Sequence, residues 1–276
     1  DNNSYMVDTE APRVDNFTMD DKLLTIGDNA TVTLIFSEAV ASFSSDADIT
    51  VANGTLATMT SADNITWTGT FTPTANTEDD NNTLSLATSY TDTVGNTGTA
   101  AISANYAVDT LLPTLAETTS VPSFTNDNST QYTFSSSEGG TISIGGNCSS
   151  DNNTAVADNM TVSFAALADG TYSDCTITVT DSAGNTQTIT VNTFTIDTLK
   201  PVLAEVTAVT TPTNDNTPSY TFSSTETGNI AYGVCSGSPN NASADNNTIT
   251  FDALTDGTYS DCKISVTDNA SNTSDN

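Results

Sequence analysis

The chain of 276 residues has no histidine, and only four of its residues are basic. Without histidine it has no ordinary Ser-His-Asp triad and no imidazole base, which argues against an enzyme. Its 34 acidic residues give a formal net charge of −30. Such a chain repels nucleic acid and anionic membrane surfaces, so neither is an expected partner.

Long apolar runs are also lacking, since the sequence shows neither a signal peptide nor a transmembrane stretch. Hydrophobic residues make up 36% of the chain, below the usual ~45–50%. Each domain is therefore expected to have a thin core that needs reinforcement. Because an exported protein needs a signal, we expect the sequence to be a mature chain or an excerpt of a longer one.

Cysteines are few and regularly placed. The separation of 27 residues between Cys148 and Cys175 recurs between Cys235 and Cys262. Two cysteines without histidine do not supply the four ligands of a zinc site. The spacing therefore predicts the disulfides Cys148–Cys175 and Cys235–Cys262, and a location outside the cytosol.

A long internal repeat organises the chain. The motif that begins at Asp109-Thr110 returns at Asp197-Thr198, an offset of 88 (197 − 109), and a related motif opens the chain at Tyr5–Pro12. A period of about 90 residues is typical of a string of small domains. We predict that residues 1–9 are the last strand of a preceding repeat, followed by domains at 10–109, 110–197 and 198–276.

Alternating apolar residues predict strands, for example at 31–36, 65–71 and 175–180, with turns rich in Asn, Asp and Gly between them. About seven short strands per domain are typical of an immunoglobulin-like sandwich. The predicted fold is all-β, with three tandem immunoglobulin-like β-sandwich domains in an extended array. The Asp-Gly-Thr-Tyr segments that end at Tyr172 and Tyr259 resemble the corner before strand F, where a tyrosine hydroxyl bonds back to the main chain.

These motifs, together with the Thr-Asp-x-x-Gly-Asn turn at residues 180–185, resemble bacterial Ig-like repeats of large secreted or cell-surface adhesins. The resemblance covers nearly the whole chain and implies a microbial surface protein with a structural or adhesive role. If the first cysteine of each pair ends strand C and the second begins strand F, each disulfide joins neighbouring strands of one sheet.

Calcium is the cofactor that we expect, because acidic turns supply the oxygen ligands that this ion prefers. In such a sandwich array, the aspartate that links two domains is expected to approach the F–G turn of the following domain. The resemblance to calcium-rigidified adhesin repeats supports this expectation. The alternative is that the turn aspartates only cap their own turns. The predicted ligands are Asp8 with Asp92 and Asn96, Asp109 with Asp181 and Asn185, and Asp197 with Asp268 and Asn272.

The third domain lacks most of its last strand, because the position equivalent to Asp197 would be residue 284 (268 + 16), beyond Asn276. An excerpt from a longer repetitive protein explains this. The alternative is that the segment Ser4–Val7 of one molecule fills the third domain of the next, which builds a filament.

The expected function is a non-enzymatic spacer or adhesive stalk on the outside of a microbial cell, with calcium at the domain junctions. The alternative is a subunit of a surface layer or of a filament assembled head-to-tail. Neighbouring repeats or copies of the chain are the expected partners, with cell-surface glycans and other surface proteins as further candidates. A carbohydrate-binding module is a third hypothesis, which would need an aromatic platform, whereas Trp67 stands alone.

Overall fold

The computed structural model describes residues 5–275. The first four residues of the predicted strand segment 1–9 and Asn276 therefore lie outside the described residues. The described chain is almost entirely β, and α1 (Ser45–Asp48) is a single helical turn. The prediction of an all-β fold is confirmed. Among the described residues, no helix is long and apolar enough to cross a membrane.

The first repeat has a four-stranded sheet, β1-β3-β6-β5, and two three-stranded sheets, β2-β10-β7 and β4-β8-β9. Val32, Leu34 and Phe36 alternate along β3 and are buried in one core with Phe71 and Tyr106. This alternation is the pattern that predicted the strand. The strands are β1 (Val14–Met19), β2 (Leu23–Leu24), β3 (Ala30–Phe36), β4 (Ile49–Thr50), β5 (Gly54–Leu56), β6 (Thr66–Pro73), β7 (Glu78–Asn82), β8 (Ser85–Leu86), β9 (Ala101–Ile102) and β10 (Tyr106–Asp109).

The second repeat has the sheets β11-β13-β16, β12-β20-β17 and β15-β14-β18-β19. Its strands are β11 (Leu115–Thr119), β12 (Phe124–Thr125), β13 (Gln131–Ser136), β14 (Gly140–Gly145), β15 (Thr154–Ala155), β16 (Asn159–Ser163), β17 (Gly170–Tyr172), β18 (Thr176–Thr180), β19 (Thr186–Thr190) and β20 (Phe194–Ile196).

The third repeat has the sheets β21-β22-β26-β24 and β25-β23-β27. Its core includes Phe222, Ile230, Ile249 and Val266. The strands are β21 (Leu203–Thr207), β22 (Ser219–Ser224), β23 (Gly228–Tyr232), β24 (Gly237–Ser238), β25 (Asn241–Ala242), β26 (Asp245–Phe251) and β27 (Ile264–Thr267).

The described chain forms two compact units. The first contains the residues up to Thr114, with Glu138–Gly140 and Val179–Gln187, and the second contains the rest. The domain boundaries at 109 and 197 stay a prediction.

Both disulfides form between the expected cysteines, Cys148–Cys175 and Cys235–Cys262. The first joins the end of β14 to the start of β18, and the second joins the corresponding ends of β23 and β27. Because each pair of strands is adjacent in one sheet, the prediction of bridges between neighbouring strands is confirmed.

The tyrosine corners are present as expected. The Tyr172 hydroxyl donates to the Ala168 carbonyl across 2.9 Å, and the Tyr259 hydroxyl donates to the Thr255 carbonyl across 2.8 Å. Each bond fastens the chain just before the disulfide that opens strand F, so the turn at the far end of that strand starts from an anchored position.

Candidate functional site

Three similar carboxylate clusters, one per repeat, are assembled from separated turns. The linker aspartates are Asp8, Asp109 and Asp197. The turn aspartates are Asp92, Asp181 and Asp268, and the turn asparagines are Asn96, Asn185 and Asn272. In every repeat the turn aspartate is buried, with 2%, 8% and 8% of its surface exposed in chain order.

Each turn aspartate organises the turn that follows it. In the second repeat, Oδ1 of Asp181 accepts main-chain hydrogen bonds from Ala183 at 2.8 Å and Asn185 at 2.9 Å. Gly184 adopts a φ of +92°, a left-handed conformation that glycine tolerates without steric conflict. The Thr-Asp-x-x-Gly-Asn motif therefore encodes a closed turn, and the capping interpretation of its aspartate describes part of the geometry.

The turn asparagine ties this turn to the linker aspartate. Nδ2 of Asn185 donates to the Asp109 carbonyl oxygen at 3.1 Å and to Oδ2 of Asp181 at 3.0 Å. The corresponding bonds to the linker carbonyl are 3.3 Å from Asn96 to Asp8 and 2.7 Å from Asn272 to Asp197. The structure thus brings together the three residues that the sequence predicted for each site. Nδ2 of each asparagine acts there as a hydrogen-bond donor.

A glutamate completes each cluster, and sequence reasoning missed it. The sets are Asp8, Glu38 and Asp92; Asp109, Glu138 and Asp181; and Asp197, Glu226 and Asp268. Within each set, one carboxylate oxygen per residue lies within 4.8 Å of the others. The repeat offset carried a signal for these residues, because 226 − 138 gives 88, the same offset as that of the linker aspartates.

Sheet order explains how the glutamates reach the clusters. Glu226 precedes β23 and Asp268 follows β27, and these strands are antiparallel neighbours. A Cβ on Gly228 would lie 2.3 Å from the Thr267 carbonyl oxygen, and a Cβ on Gly140 would lie 2.1 Å from that of Thr180. Glycine two residues after the glutamate therefore allows its turn to approach the turn aspartate closely.

Charge is concentrated in the clusters. Burial raises the pKa of Glu226, and the nearby Asp197 and Asp268 raise it further. Burial and Asp8 and Asp92 act in the same direction on the pKa of Glu38. Burial also raises the pKa of Asp109, to which Asp181 contributes by repulsion.

No basic side chain forms an ion pair with a cluster carboxylate in the described part of the chain. Arg13 pairs with Glu10 and Asp15, and Lys200 pairs with Asp275. Like charges held this close disfavour ionisation of one another. Each cluster is therefore suited chemically to a proton or to a cation with oxygen ligands.

Comparison with protein families gives two matches. Residues 8–108 match a family model described as a bacterial Ig-like domain, and residues 116–198 match a second model with the same description. No curated protein matches the chain. The matches confirm the resemblance to bacterial Ig-like repeats, and with the sheets described above they support a β-sandwich array.

Proposed function

Since the chain belongs to the bacterial Ig-like domain families over residues 8–108 and 116–198, we propose that it is a spacer or stalk of an extracellular microbial surface protein, stabilised by calcium at its linkers. Ig-like domains of this kind indicate a non-enzymatic surface or structural repeat region. The two disulfides agree with a location outside the cytosol.

The observation that carries the proposal is the threefold recurrence of one arrangement. In each repeat, a linker aspartate, a turn aspartate and a glutamate place carboxylate oxygens within 4.8 Å of one another. Three carboxylates supply the hard oxygen ligands that calcium prefers, and main-chain carbonyls and water can complete six to eight ligands.

Calcium would act on the linker through its aspartate. The turn asparagine alone holds the linker by a hydrogen bond, such as the 2.7 Å bond from Asn272 to Asp197. An ion shared by Asp197, Glu226 and Asp268 would remove the repulsion among these groups and restrict the linker further. That is the mechanical property that a surface spacer needs.

Calorimetric titration of the calcium-free chain tests the proposal directly. We expect binding of about three ions and a higher thermal midpoint, since ligand at 100 times its Kd stabilises the folded state by about 2.7 kcal/mol. Magnesium at the same concentration is the control, because it requires a more regular octahedral site. An unchanged midpoint and unchanged small-angle scattering after chelation would leave the aspartates as turn caps and reject calcium.

A second candidate is a subunit of a surface layer or of a filament assembled head-to-tail, including by strand donation from the N-terminal segment into the third domain. The observation that favours it is the exposure of this segment. Tyr5, Met6 and Val7 are 82%, 95% and 76% exposed. In this proposal, copies of the chain are the partners. Light scattering over a range of concentrations tests it, because a monomer at high concentration contradicts assembly.

Carbohydrate binding is less well supported. Trp67 is partly buried and packs edge-on against Phe43, with ring centroids 4.9 Å apart. This contact uses the indole for the core of the first repeat, and an open aromatic platform for a sugar is not formed there.

A further inference from the structure

Two adjoining grooves in the third repeat follow one continuous path. The first has a volume of about 640 Å³ and contacts Leu203, Tyr220 and Ile264. The second, of about 680 Å³, lies between residues 209–218 and 251–262. Both are lined by Val209, Phe251, Tyr259 and Cys262, so they form a single apolar groove.

In the second repeat, a strand lies along the equivalent path. β20 pairs in parallel with β12 and antiparallel with β17. The offset of 88 places Phe124 of β12 at Pro212, and the offset of 87 that applies after the cysteines places Tyr172 of β17 at Tyr259. Pro212 and Tyr259 are on opposite walls of the second groove. Among the described residues of the third repeat, no strand lies between these two walls.

Side-chain exposure shows that the groove has the chemistry of a strand site. Residues that are buried in the second repeat have partly exposed counterparts in the third, and Tyr259 is 45% exposed. The partly exposed residues are Tyr220, Leu254, Cys262 and Ile264, at the positions of Tyr132, Leu167, Cys175 and Ile177. An apolar surface of this kind favours a partner that presents apolar side chains from one face of a strand.

The N-terminal segment has the sequence of such a strand. Tyr5, Val7 and Asp8 repeat Tyr106, Val108 and Asp109, and in β10 the Tyr106 and Val108 side chains are 1% and 0% exposed. The hydrogen bond from Asn96 to the Asp8 carbonyl matches the one from Asn185 to Asp109. Residues 5–8 therefore stand in the same relation to the following turn as the end of β10 does.

We infer that the groove of the third repeat binds residues 4–9 of a second copy of the chain as an added strand. The inference rests on the second proposed function, assembly head-to-tail. Tyr5 takes the place of Phe194, whose ring stacks on Tyr172 with centroids 5.3 Å apart. It thus stacks on Tyr259 of the other copy, while Val7 takes the place of Ile196.

Register and charge add to this assignment. In the second repeat, the amides of Thr195 and Asp197 donate to the carbonyls of Ser123 and Thr125. The same register pairs Met6 and Asp8 with the carbonyls of Thr211 and Thr213. Lys200 and Lys263, two of the four basic residues, line the groove that receives the acidic segment.

The test uses the full chain and a fluorescent peptide of residues 1–9. We expect saturable binding measured by anisotropy, weakened on the order of tenfold for each of Tyr5→Ser and Val7→Ser in the peptide. Met6→Thr is the matched control, because Met6 corresponds to the outward-facing Thr195, and it should bind like the natural peptide. A peptide of residues 186–198, which contains β19 and β20, measures whether the groove accepts any strand.

Assembly of the full chain is followed separately by light scattering, with the same substitutions. Peptide binding that requires Tyr5 and Val7 supports the inference, and binding without assembly rejects only the head-to-tail function. Assembly without peptide binding rejects the strand contact and keeps that function. Binding of the 186–198 peptide alone also overturns the inference, since the groove then takes a strand of a different sequence.

Discussion

The side-chain amide of Asn272 donates a hydrogen bond of 2.7 Å to the main-chain carbonyl of Asp197, 75 residues earlier in the chain. The same amide donates to Oδ2 of Asp268 at 2.9 Å. One buried side chain therefore joins a linker to a turn, and equivalent contacts recur at Asn96 and Asn185.

Replacing Asn272 with alanine should destabilise the third repeat. The substitution leaves a carbonyl and a buried carboxylate without this donor, which lowers the free energy of unfolding by about 1–3 kcal/mol. Urea denaturation followed by circular dichroism measures the change. Asn269→Ala, at an exposed position in the same turn, is the control and should have little effect. Equal effects of the two substitutions would show that the contact has no special role.

Glu226→Gln should change stability in opposite directions with and without calcium. In chelator the thermal midpoint should rise, because one of three crowded carboxylates loses its charge. In calcium the gain should shrink or reverse, because the ion loses a ligand. Differential scanning calorimetry in both buffers measures this difference. Asp252→Asn removes an exposed charge outside the clusters and should not alter the response to calcium.

The same cluster predicts a pH effect in chelator. Because the pKa of Glu226 is raised in the folded state, the folded chain takes up this proton at a higher pH than the unfolded chain does. The contribution of Glu226 should therefore stabilise the fold as the pH falls through the folded pKa, and should be lost as the pH rises again. This pH dependence should be absent from Glu226→Gln, which has no titratable group there.

Much of the site followed from the sequence, because its parts lie in repeated motifs. The linker aspartates and the turns around Asp181 and Asp268 share their spacing, and an Ig-like strand order brings each pair to one place. The glutamates were missed for a physical reason. Glu138 and Glu226 sit at the end of a strand without a local motif, and only the adjacency of strands such as β23 and β27 directs them to the turn aspartates.

The last strand shows a second limit of sequence reasoning. Residues 188–196 alternate without interruption and predict one strand, yet β19 and β20 belong to different sheets. Asn192 lies between them, and its side chain accepts a hydrogen bond from the Val121 amide and donates one to the Val121 carbonyl. The break depends on this contact with a segment 71 residues away, which periodicity cannot reveal.

Ser271→Gly should stabilise the third repeat. Ser271 has a φ of +74°, whereas Gly95 and Gly184 hold the equivalent left-handed position in the other repeats. A residue with a Cβ is strained there by about 1 kcal/mol, so glycine should raise the stability by up to that amount. The reciprocal substitution Gly184→Ser should lower the stability of the second repeat. Urea denaturation of both variants checks the signs, and a loss of stability in Ser271→Gly would contradict the explanation.

Reduction of the disulfides should destabilise the second and third repeats and spare the first. Each bridge closes a separation of 27 residues, and its removal lowers stability by about 3 kcal/mol in the chain-entropy model. The first repeat has no cysteine and contains the only tryptophan, Trp67, which packs on Phe43. Tryptophan fluorescence therefore reports on this repeat, while circular dichroism reports on all three.

The expected result in urea is a fluorescence midpoint that reductant does not change, together with an earlier transition in circular dichroism. The double variant Cys148→Ala and Cys175→Ala should reproduce the part of this shift that belongs to the second repeat. A reductant-sensitive midpoint for Trp67 would mean that the stability of the first repeat depends on the repeats that follow. The disulfides would then support the array as a whole, and their effect could not be assigned to single domains.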